Sequence, residues 1–254
     1  MNKRVRAGLN AGLIHLLISV LVAALIAVSI FFLWFPSPYR EMINGGQLFL
    51  LIIAVDVICG PLLTAIVFDP RKKRKELFRD LLCICCIQIS ALGFGAYTIF
   101  QARPVLLAFE VDRLRLVTYA DIKKEDLRPS INSLHHIPWT GVSLIGTRMP
   151  ENGTEMLESL ELSMRGYDPA FRPNSWVPYV NIADDIRIVA QPISNLLVKN
   201  PEKREIIDVA IKKSKSLESE LVWLPVTSYK SMDWIALIRR IDLQPVVFLH
   251  MNGF

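Results

Sequence analysis

The chain has 254 residues, of which 52% are hydrophobic, and a formal net charge of +5. Ordinary soluble domains are about 45–50% apolar. Here the excess lies in the first hundred residues, which excludes a protein made only of uniform soluble domains. Residues 1–100 carry ten Lys and Arg against five Asp and Glu, whereas residues 101–254 carry nineteen of each. The positive charge therefore belongs to the apolar part and does not indicate nucleic-acid binding.

Three apolar segments in the first hundred residues predict membrane-spanning helices. Residues 13–35 contain no Asp, Glu, Lys or Arg, residues 48–68 contain one such side chain, Asp56, and residues 81–100 contain none. About 20 apolar residues, at about 1.5 Å each, cross a hydrocarbon core of about 30 Å. The first segment is too long for a signal peptide and ends in bulky residues, so we predict an uncleaved anchor and three transmembrane helices.

The basic residues predict the orientation of these helices. The N-terminus carries three and the loop 69–80 carries six, whereas the opposite side carries four: Arg40, Arg103, Arg113 and Arg115. Because loops rich in Lys and Arg stay in the cytoplasm, we predict a membrane domain over 1–102 with a cytoplasmic N-terminus and a basic cytoplasmic loop. The segment 103–254 is then an extracytoplasmic domain of a multi-pass membrane protein, and it is periplasmic if the cell is Gram-negative.

The segment 103–254 is long enough for one hydrophobic core, and its pattern predicts an α+β domain. Strands are predicted from β-rich runs at 105–109, 114–119, 142–147, 221–226, 234–241 and 246–251, the first two as a hairpin. Helices are predicted at 120–127, 153–164, 181–198 and 201–214. This order predicts a mostly antiparallel sheet.

The segment 166–179 combines prolines with Tyr167, Phe171, Trp176 and Tyr179, and it predicts an irregular loop. Two alternatives are open for its aromatic side chains. They form a recognition loop for a partner, or the segment is a long connector that packs Trp176 into the domain's own core.

Asp56 lies near the middle of the second predicted span. A carboxylate there costs about 2.5–3.5 kcal/mol on insertion scales, so it is expected to be neutral, paired or turned toward protein. Gly60 and Thr64 follow at intervals of four residues and form a small, weakly polar stripe that another helix can approach. Pro61 removes one backbone donor from the same helix.

Three interpretations of this stripe remain open. Asp56 forms an internal hydrogen bond with Gln88 or Ser90 of the third span, the stripe contacts the membrane helix of a client protein, or the carboxylate serves proton or ion transport. Three spans are few for a transporter. Gln88 also belongs to a small and weakly polar face of its own helix, as a packed bundle requires.

Sequence motifs of catalysis are not found. The chain has no H-E-x-x-H, G-x-x-x-x-G-K-[ST] or G-x-S-x-G pattern. His135 and His136 are adjacent in a predicted loop, and the cluster Cys83, Cys85 and Cys86 lies in an apolar helix, where cysteine acts as a small hydrophobe. We therefore predict no catalytic, cofactor or metal site, and no enzyme.

Three stretches resemble the type IV pilin accessory proteins of the TfpX/TfpZ type. They are DVICGPLLTAIVFDPRKK at 56–73, GAYTIFQARPVLLAFEVDRLRLV at 95–117 and LPVTSYKSMDWIALI at 224–238. The resemblance covers the whole chain, including three helices followed by one domain. It implies an inner-membrane protein that modulates the assembly of one major pilin into pili, without catalytic residues. The implied partners are a type IV major pilin, the pilus assembly machinery and membrane lipid.

These observations predict an accessory factor whose helices hold the apolar helix of the pilin while its domain contacts the pilin head. The predicted partner-binding residues are Asp56, Gly60, Pro61, Thr64 and Gln88 in the helices, Arg103 and Asp112 beside the start of the domain, and Tyr167, Phe171, Trp176 and Tyr179. Two alternatives stand beside this function. A membrane-anchored envelope sensor would need a cytoplasmic output, and a pilin-modifying envelope enzyme would need a catalytic constellation.

Overall fold

The structure is a computed structural model that describes residues 3–127 and 137–254, so the predicted loop histidines His135 and His136 lie outside the described residues. It divides into two compact units. The first, called the helical unit, comprises the chain up to Pro36 together with Asn44–Arg103. The second, called the sheet domain, comprises Ser37–Ile43 and Pro104–Phe254.

The helical unit contains α1 (Lys3–Leu33), α3 (Gly45–Val67) and α4 (Arg74–Ala102); the short α2 (Tyr39–Met42) belongs to the sheet domain. Within the described residues, α1 and α4 are long and apolar enough to cross a membrane, and little of either is buried inside the protein. In α3 the described apolar stretch is shorter, Asp56–Val67. Two of the three predicted spans are therefore supported by length and composition, and the third stays a prediction.

Small residues allow α1 to lie close against α3. A Cβ atom on Gly8 would collide with the carbonyl oxygen of Ala65, and one on Gly12 would lie 2.9 Å from the carbonyl oxygen of Pro61. Gly8 and Gly12 are four residues apart and share one helix face, which is the arrangement that brings apolar helices into backbone contact.

The sheet domain is built on one eight-stranded sheet. Its strands are β1 (Pro104–Glu110), β2 (Arg113–Thr118), β3 (Ser143–Thr147), β4 (Trp176–Pro178), β5 (Gln191–Pro192), β6 (Leu221–Thr227), β7 (Trp234–Arg239) and β8 (Pro245–His250). They are ordered β4-β3-β1-β2-β6-β7-β8, with β5 paired to β6. The pairs β1–β3 and β2–β6 are parallel and the other described pairs are antiparallel, so the sheet is mixed. The two parallel pairs were not foreseen in the sequence.

The domain helices are α5 (Gly153–Met164), α6 (Ala183–Val189), α7 (Ile193–Lys199) and α8 (Arg204–Ser214). The predicted hairpin, the helix at 153–164 and the three closing strands are confirmed within one to two residues. The predicted helix at 120–127 is wrong. The Asp121 carboxylate accepts hydrogen bonds from the main chain and hydroxyl of Thr118, which closes a turn instead, and only the 3₁₀ turn Lys124–Asp126 follows.

The predicted single helix at 181–198 is also wrong. It is divided into α6 and α7 by β5, because Pro192 has no N–H to continue a helix. The Pro192 carbonyl instead accepts a hydrogen bond from Trp223 Nε1 at 3.1 Å. The connection between α6 and α7 is thus attached to the side chain of Trp223 in strand β6.

Two apolar clusters form the core of the sheet domain. In one, α7 and α8 pack on β6, β7 and β8 around Trp223, which is fully buried. In the other, Val105 and Ile145 meet Phe171 and Trp176. Because both clusters are large, the domain has a core that does not depend on the helical unit.

The segment Ser37–Ile43 is attached to the sheet domain by specific contacts. Ser228 Oγ donates to the carbonyl oxygen of Met42 at 2.7 Å, and Tyr229 OH donates to that of Ile43 at 3.2 Å. The ring of Tyr39 packs against Phe248 at 5.5 Å, and burial raises the pKa of Tyr39 to about 12. The linker between the first two predicted spans is therefore part of the folded domain.

Candidate functional site

A long cleft runs along the helical unit, because α1 and α4 both pack on α3. It consists of two cavities of about 190 and 610 Å³ that share Ile18 and Cys85. The lining spans residues 7–23 of α1, 53–64 of α3 with Phe68 just after that helix, and 81–92 of α4. At about 1.5 Å per residue the α1 side is about 24 Å long. This length suits a helix better than a compact ligand.

Asp56 lines the smaller cavity. Its Oδ1 atom is buried and has no hydrogen-bond partner among the described residues. The predicted contact with Gln88 exists, but Gln88 Nε2 donates to the main-chain oxygen of Asp56, at 3.2 Å. The side chain of Gln88 therefore holds α3 against α4 and leaves the carboxylate available within the cleft.

The other predicted residues of α3, Gly60, Pro61 and Thr64, contact the two neighbouring helices. A Cβ atom on Gly60 would collide with the amide of Gln88, so this glycine is what admits Gln88. Thr64 is buried, and its hydroxyl forms a hydrogen bond of 2.6 Å with His15 Nδ1. Pro61 faces Gly12 of α1. Gly60, Pro61 and Thr64 thus pack the bundle, although Thr64 and His15 also line the larger cavity.

Arg103 and Asp112 both have partners close in sequence. Arg103 is buried, its guanidinium lies 4.0 Å from the centre of the Phe100 ring, and it donates to the Phe100 carbonyl at 3.4 Å. Asp112 lies in the β1–β2 turn and accepts a hydrogen bond from Arg113 Nε at 2.7 Å. Arg103 ends α4, and Asp112 organises the hairpin turn.

The aromatic loop holds the sheet domain together. Phe171 and Trp176 are buried in the second core cluster, and Trp176 Nε1 donates to the Ala170 carbonyl at 3.0 Å. Tyr179 OH donates to the Leu243 carbonyl at 2.9 Å. Of the four predicted aromatic residues, Tyr167 is the most exposed, at 40%. These contacts favour the connector interpretation over the recognition loop.

A separate cavity in the sheet domain was not predicted from the sequence. It has a volume of about 350 Å³ and lies between α5 and the end of β1. Glu110, Arg115 and Asp168 line it from the domain, and Ser159 and Ser163 line it from α5. Glu110 lies at the end of β1 beside the hairpin turn, and no sequence pattern marks it as buried.

Glu110 is the most buried carboxylate of this cavity, with 7% exposure. Burial, and next the charge of Asp168, raise its pKa above the usual glutamate value. Its one hydrogen bond from the described residues is a long one, 3.4 Å, from the main-chain N–H of Ala170. Burying the ionised carboxylate of Glu110 therefore costs free energy, and this long hydrogen bond offsets little of that cost.

Replacing Glu110 by glutamine is expected to stabilise the sheet domain at neutral pH. Because the folded-state pKa is raised, the stability that Glu110 contributes is present below its unfolded pKa and is lost as the pH rises through the folded value. Thermal unfolding of the purified full chain, followed from about pH 4 to pH 8, is expected to show a flatter profile for Glu110→Gln. The exposed Glu158→Gln serves as control, and parallel profiles for wild type and Glu110→Gln would contradict the prediction.

The structural role of Asp69 in the basic loop was also not predicted from the sequence. It is buried and binds Arg71 through both carboxylate oxygens, at 3.0 and 2.8 Å, and Arg4 of α1 at 3.3 Å. The hydrogen bonds from Arg71 lower the pKa of this carboxyl. Asp69 therefore connects the loop to the start of α1.

Metal chemistry finds no support in the described part of the chain. No group of three His, Cys, Asp or Glu side chains there is placed to hold an ion. The four cysteines are free and exposed on the helices.

Comparisons with known proteins point to fimbriae. The family described as "Fimbrial assembly protein FimB" matches residues 3–44. The chain is 37% identical over 226 residues to a fimbrial assembly protein of serogroup I from Dichelobacter nodosus, covering 89% of this chain and 88% of that protein. The serogroup E1 protein is 36% identical over the same length, and that of serogroups C1 and C2 is 46% identical over 114 residues, 45% of this chain and 87% of the relative. No solved structure matches.

Proposed function

Because this chain belongs to the family of fimbrial assembly proteins, we propose that it is an inner-membrane accessory factor that binds a type IV major pilin. It modulates the stability of that pilin or its assembly into pili and breaks no covalent bond. Within the family we assign it to the TfpX/TfpZ type. In this proposal α1, α3 and α4 cross the membrane, the N-terminus and the loop 69–80 are cytoplasmic, and the sheet domain is periplasmic.

The observation that supports this proposal is the cleft with Asp56. Its walls are mostly apolar, and within the predicted spans it follows residues 13–23 of α1, about 15 Å, which is about half of a hydrocarbon core of about 30 Å. Exposed residues such as Ile14 and Ile18 border it, so it is accessible from the side. A client helix can therefore enter from the bilayer without unfolding the bundle.

The carboxylate of Asp56 argues for a protein occupant rather than lipid. A buried polar group without a partner costs about 1–3 kcal/mol, and lipid chains offer no donor. A client helix that presents a hydroxyl, an amide or a protonated side chain supplies one. Since charged groups within a membrane are expensive, this contact both stabilises the complex and selects the client.

Replacing Asp56 by asparagine is expected to weaken pilin retention about fivefold, because a charge-assisted hydrogen bond becomes a neutral one, a difference of about 1 kcal/mol. The measurement is the amount of pilin that co-purifies with the full chain after mild extraction. Surface pili and total pilin are determined in parallel, in a deletion strain complemented with each variant. Thr98→Val is the matched control, because Thr98 is a polar residue of α4 whose hydroxyl donates to Phe94 of its own helix and which does not line the cleft.

Each outcome bears on the proposal. Loss of surface pili in the deletion strain, restored by wild type and by Thr98→Val but not by Asp56→Asn, supports it. Unchanged surface and total pilin in the deletion strain would refute the accessory function. Full restoration by Asp56→Asn with normal pilin retention would refute the cleft as the binding site.

A further inference from the structure

The two edge strands of the sheet differ in length and sequence. At one edge lies β4, which has three residues and ends in Pro178, so it offers little main chain to a further strand. At the other edge lies β8, which has six residues and is about 20 Å long. Among the described residues β8 pairs with β7 alone. The outer side of β8 therefore presents main-chain donors and acceptors.

The sequence of β8 does not protect this edge. Natural proteins block exposed edge strands with charged side chains, with proline or by keeping the strand short, because an open edge pairs readily with another chain. Pro245 begins β8, but Val246, Val247, Phe248 and Leu249 follow without a charged side chain. This composition favours pairing with a strand from outside the domain.

Helix α8 forms a groove with the same strand. Its buried side, Ile207 and Ala210, packs on the core cluster around Trp223. Its neighbouring side carries Ile206 and Val209, which are 53% and 59% exposed. A groove of about 380 Å³, called the α8–β8 groove, is lined by Glu205, Ile206, Val209, Ala210 and Lys213 of α8 and by residues 247–249 of β8. Strand β7 contributes no lining residue, so the groove follows the outer side of β8.

A further strand at this edge would cover the exposed side of α8. Neighbouring strands lie about 4.8 Å apart, so a strand paired with β8 lies in the α8–β8 groove, beside Ile206 and Val209. Its main chain pairs with the open edge, and its apolar side chains bury those of α8. Both features therefore fit one occupant, a β-strand that carries apolar side chains.

The charges of α8 indicate where that strand comes from. Glu205 and Lys213 are exposed, lie four residues before and four residues after Val209, and form no ion pair with another described residue. A twofold axis near Val209 and the centre of β8 places Glu205 of each copy beside Lys213 of the other. The two β8 strands are then antiparallel, and the two Val209 side chains meet at the axis. The α8–β8 groove is thus complementary to a second copy of itself.

We propose that two copies of the sheet domain associate through the α8–β8 groove, with β8 of one copy paired antiparallel to β8 of the other. The sheet continues across the twofold axis, and α8 packs beside its counterpart. An interface of this kind uses the same patch on both copies. The inference goes beyond the proposed function and does not rest on pilin binding.

Charge reversal in two differently tagged full chains tests this arrangement. The measurement is the amount of one tagged chain that co-purifies with the other after mild extraction from cells that contain both. Lys213→Glu in both chains brings carboxylates together and is expected to lower this recovery about fivefold, as is Glu205→Lys in both chains. When one chain carries Lys213→Glu and the other Glu205→Lys, opposite charges meet again. Recovery is then expected to return to the wild-type level.

The mixed pair separates a second copy from any other occupant. A strand of the pilin or of another protein in the groove would not restore the recovery of one tagged chain with the other. Recovery as low in the mixed pair as in the single variants would therefore overturn the proposal. Recovery that stays at the wild-type level in every combination would overturn it as well.

A substitution at the axis provides an independent measure. Val209→Asp in both chains is expected to lower the recovery about tenfold, because central apolar residues dominate binding and two carboxylates would meet there. Val198→Asp is the matched control, since Val198 is 81% exposed on α7 and lies outside the groove. The unfolding temperature of each variant checks its folding. Equal recovery for Val209→Asp and Val198→Asp would refute the proposal.

Discussion

Replacing Gly8 by leucine is expected to separate α1 from α3 and to lower the yield of folded protein severalfold. The position of the new Cβ is already occupied by the carbonyl oxygen of Ala65, and a backbone atom cannot move aside as a flexible side chain can. Overpacking of this kind costs about 1–3 kcal/mol or more. The measurement is the amount of monodisperse full chain recovered after detergent extraction.

Gly93→Leu is the matched control for this substitution. Gly93 lies in α4, and a Cβ atom there meets nothing within 4 Å. The two variants add the same side chain to the same kind of helix, so they differ in the packing of the site. Equal recovery of both variants would show that the close approach of α1 and α3 is not needed for folding.

Replacing Trp223 by alanine is expected to destabilise the sheet domain by about 3–5 kcal/mol. Trp223 is fully buried in the cluster between α7, α8 and the sheet, and its indole N–H is the donor that fixes Pro192. For a domain of this size that loss lowers the unfolding temperature by about 6–20 °C. Thermal unfolding of the purified full chain measures it.

Trp139→Ala is the matched control, because it is the same substitution at an exposed position. Trp139 is 63% exposed, so its replacement removes less buried apolar surface and is expected to cost less stability than that of Trp223. A decrease of the unfolding temperature for Trp223→Ala no larger than that for Trp139→Ala would contradict the assignment of Trp223 to the centre of the core.

The elements that the sequence predicted well are those with a strong local pattern. The helix Gly153–Met164 has a capping Asn152 and a regular apolar period, and its bounds are confirmed. The hairpin β1–β2 and the strands β6 to β8 have dense β-branched and aromatic runs, and they too are confirmed. The helices predicted at 120–127 and 181–198 were wrong because a side-chain turn at Asp121 and a strand at Pro192 prevailed over average spacing.

The candidate sites were predicted less completely, because burial depends on what packs against a residue. A hydrogen bond between Asp56 and Gln88 was one of the predicted alternatives, but it uses the main-chain oxygen of Asp56 and not its carboxylate. Phe171 and Trp176 have the composition of a recognition loop and lie in the core. The apolar side of α5, formed by Met156, Leu157, Leu160 and Met164, has the composition of a core and lies on the surface. A one-dimensional pattern gives the period of a helix face but not the partner of that face.

By itself the sequence determined the division into an apolar, basic first part and a neutral α+β domain, since composition and periodicity act within a few turns of chain. It also determined the presence of one ionisable carboxyl group, Asp56, within an apolar segment. The tertiary structure alone decided the order of the strands, the burial of Glu110 and the exposure of the apolar side of α5. These depend on contacts between residues far apart in the chain, such as β2 with β6, and such contacts are set by the packing of the whole domain.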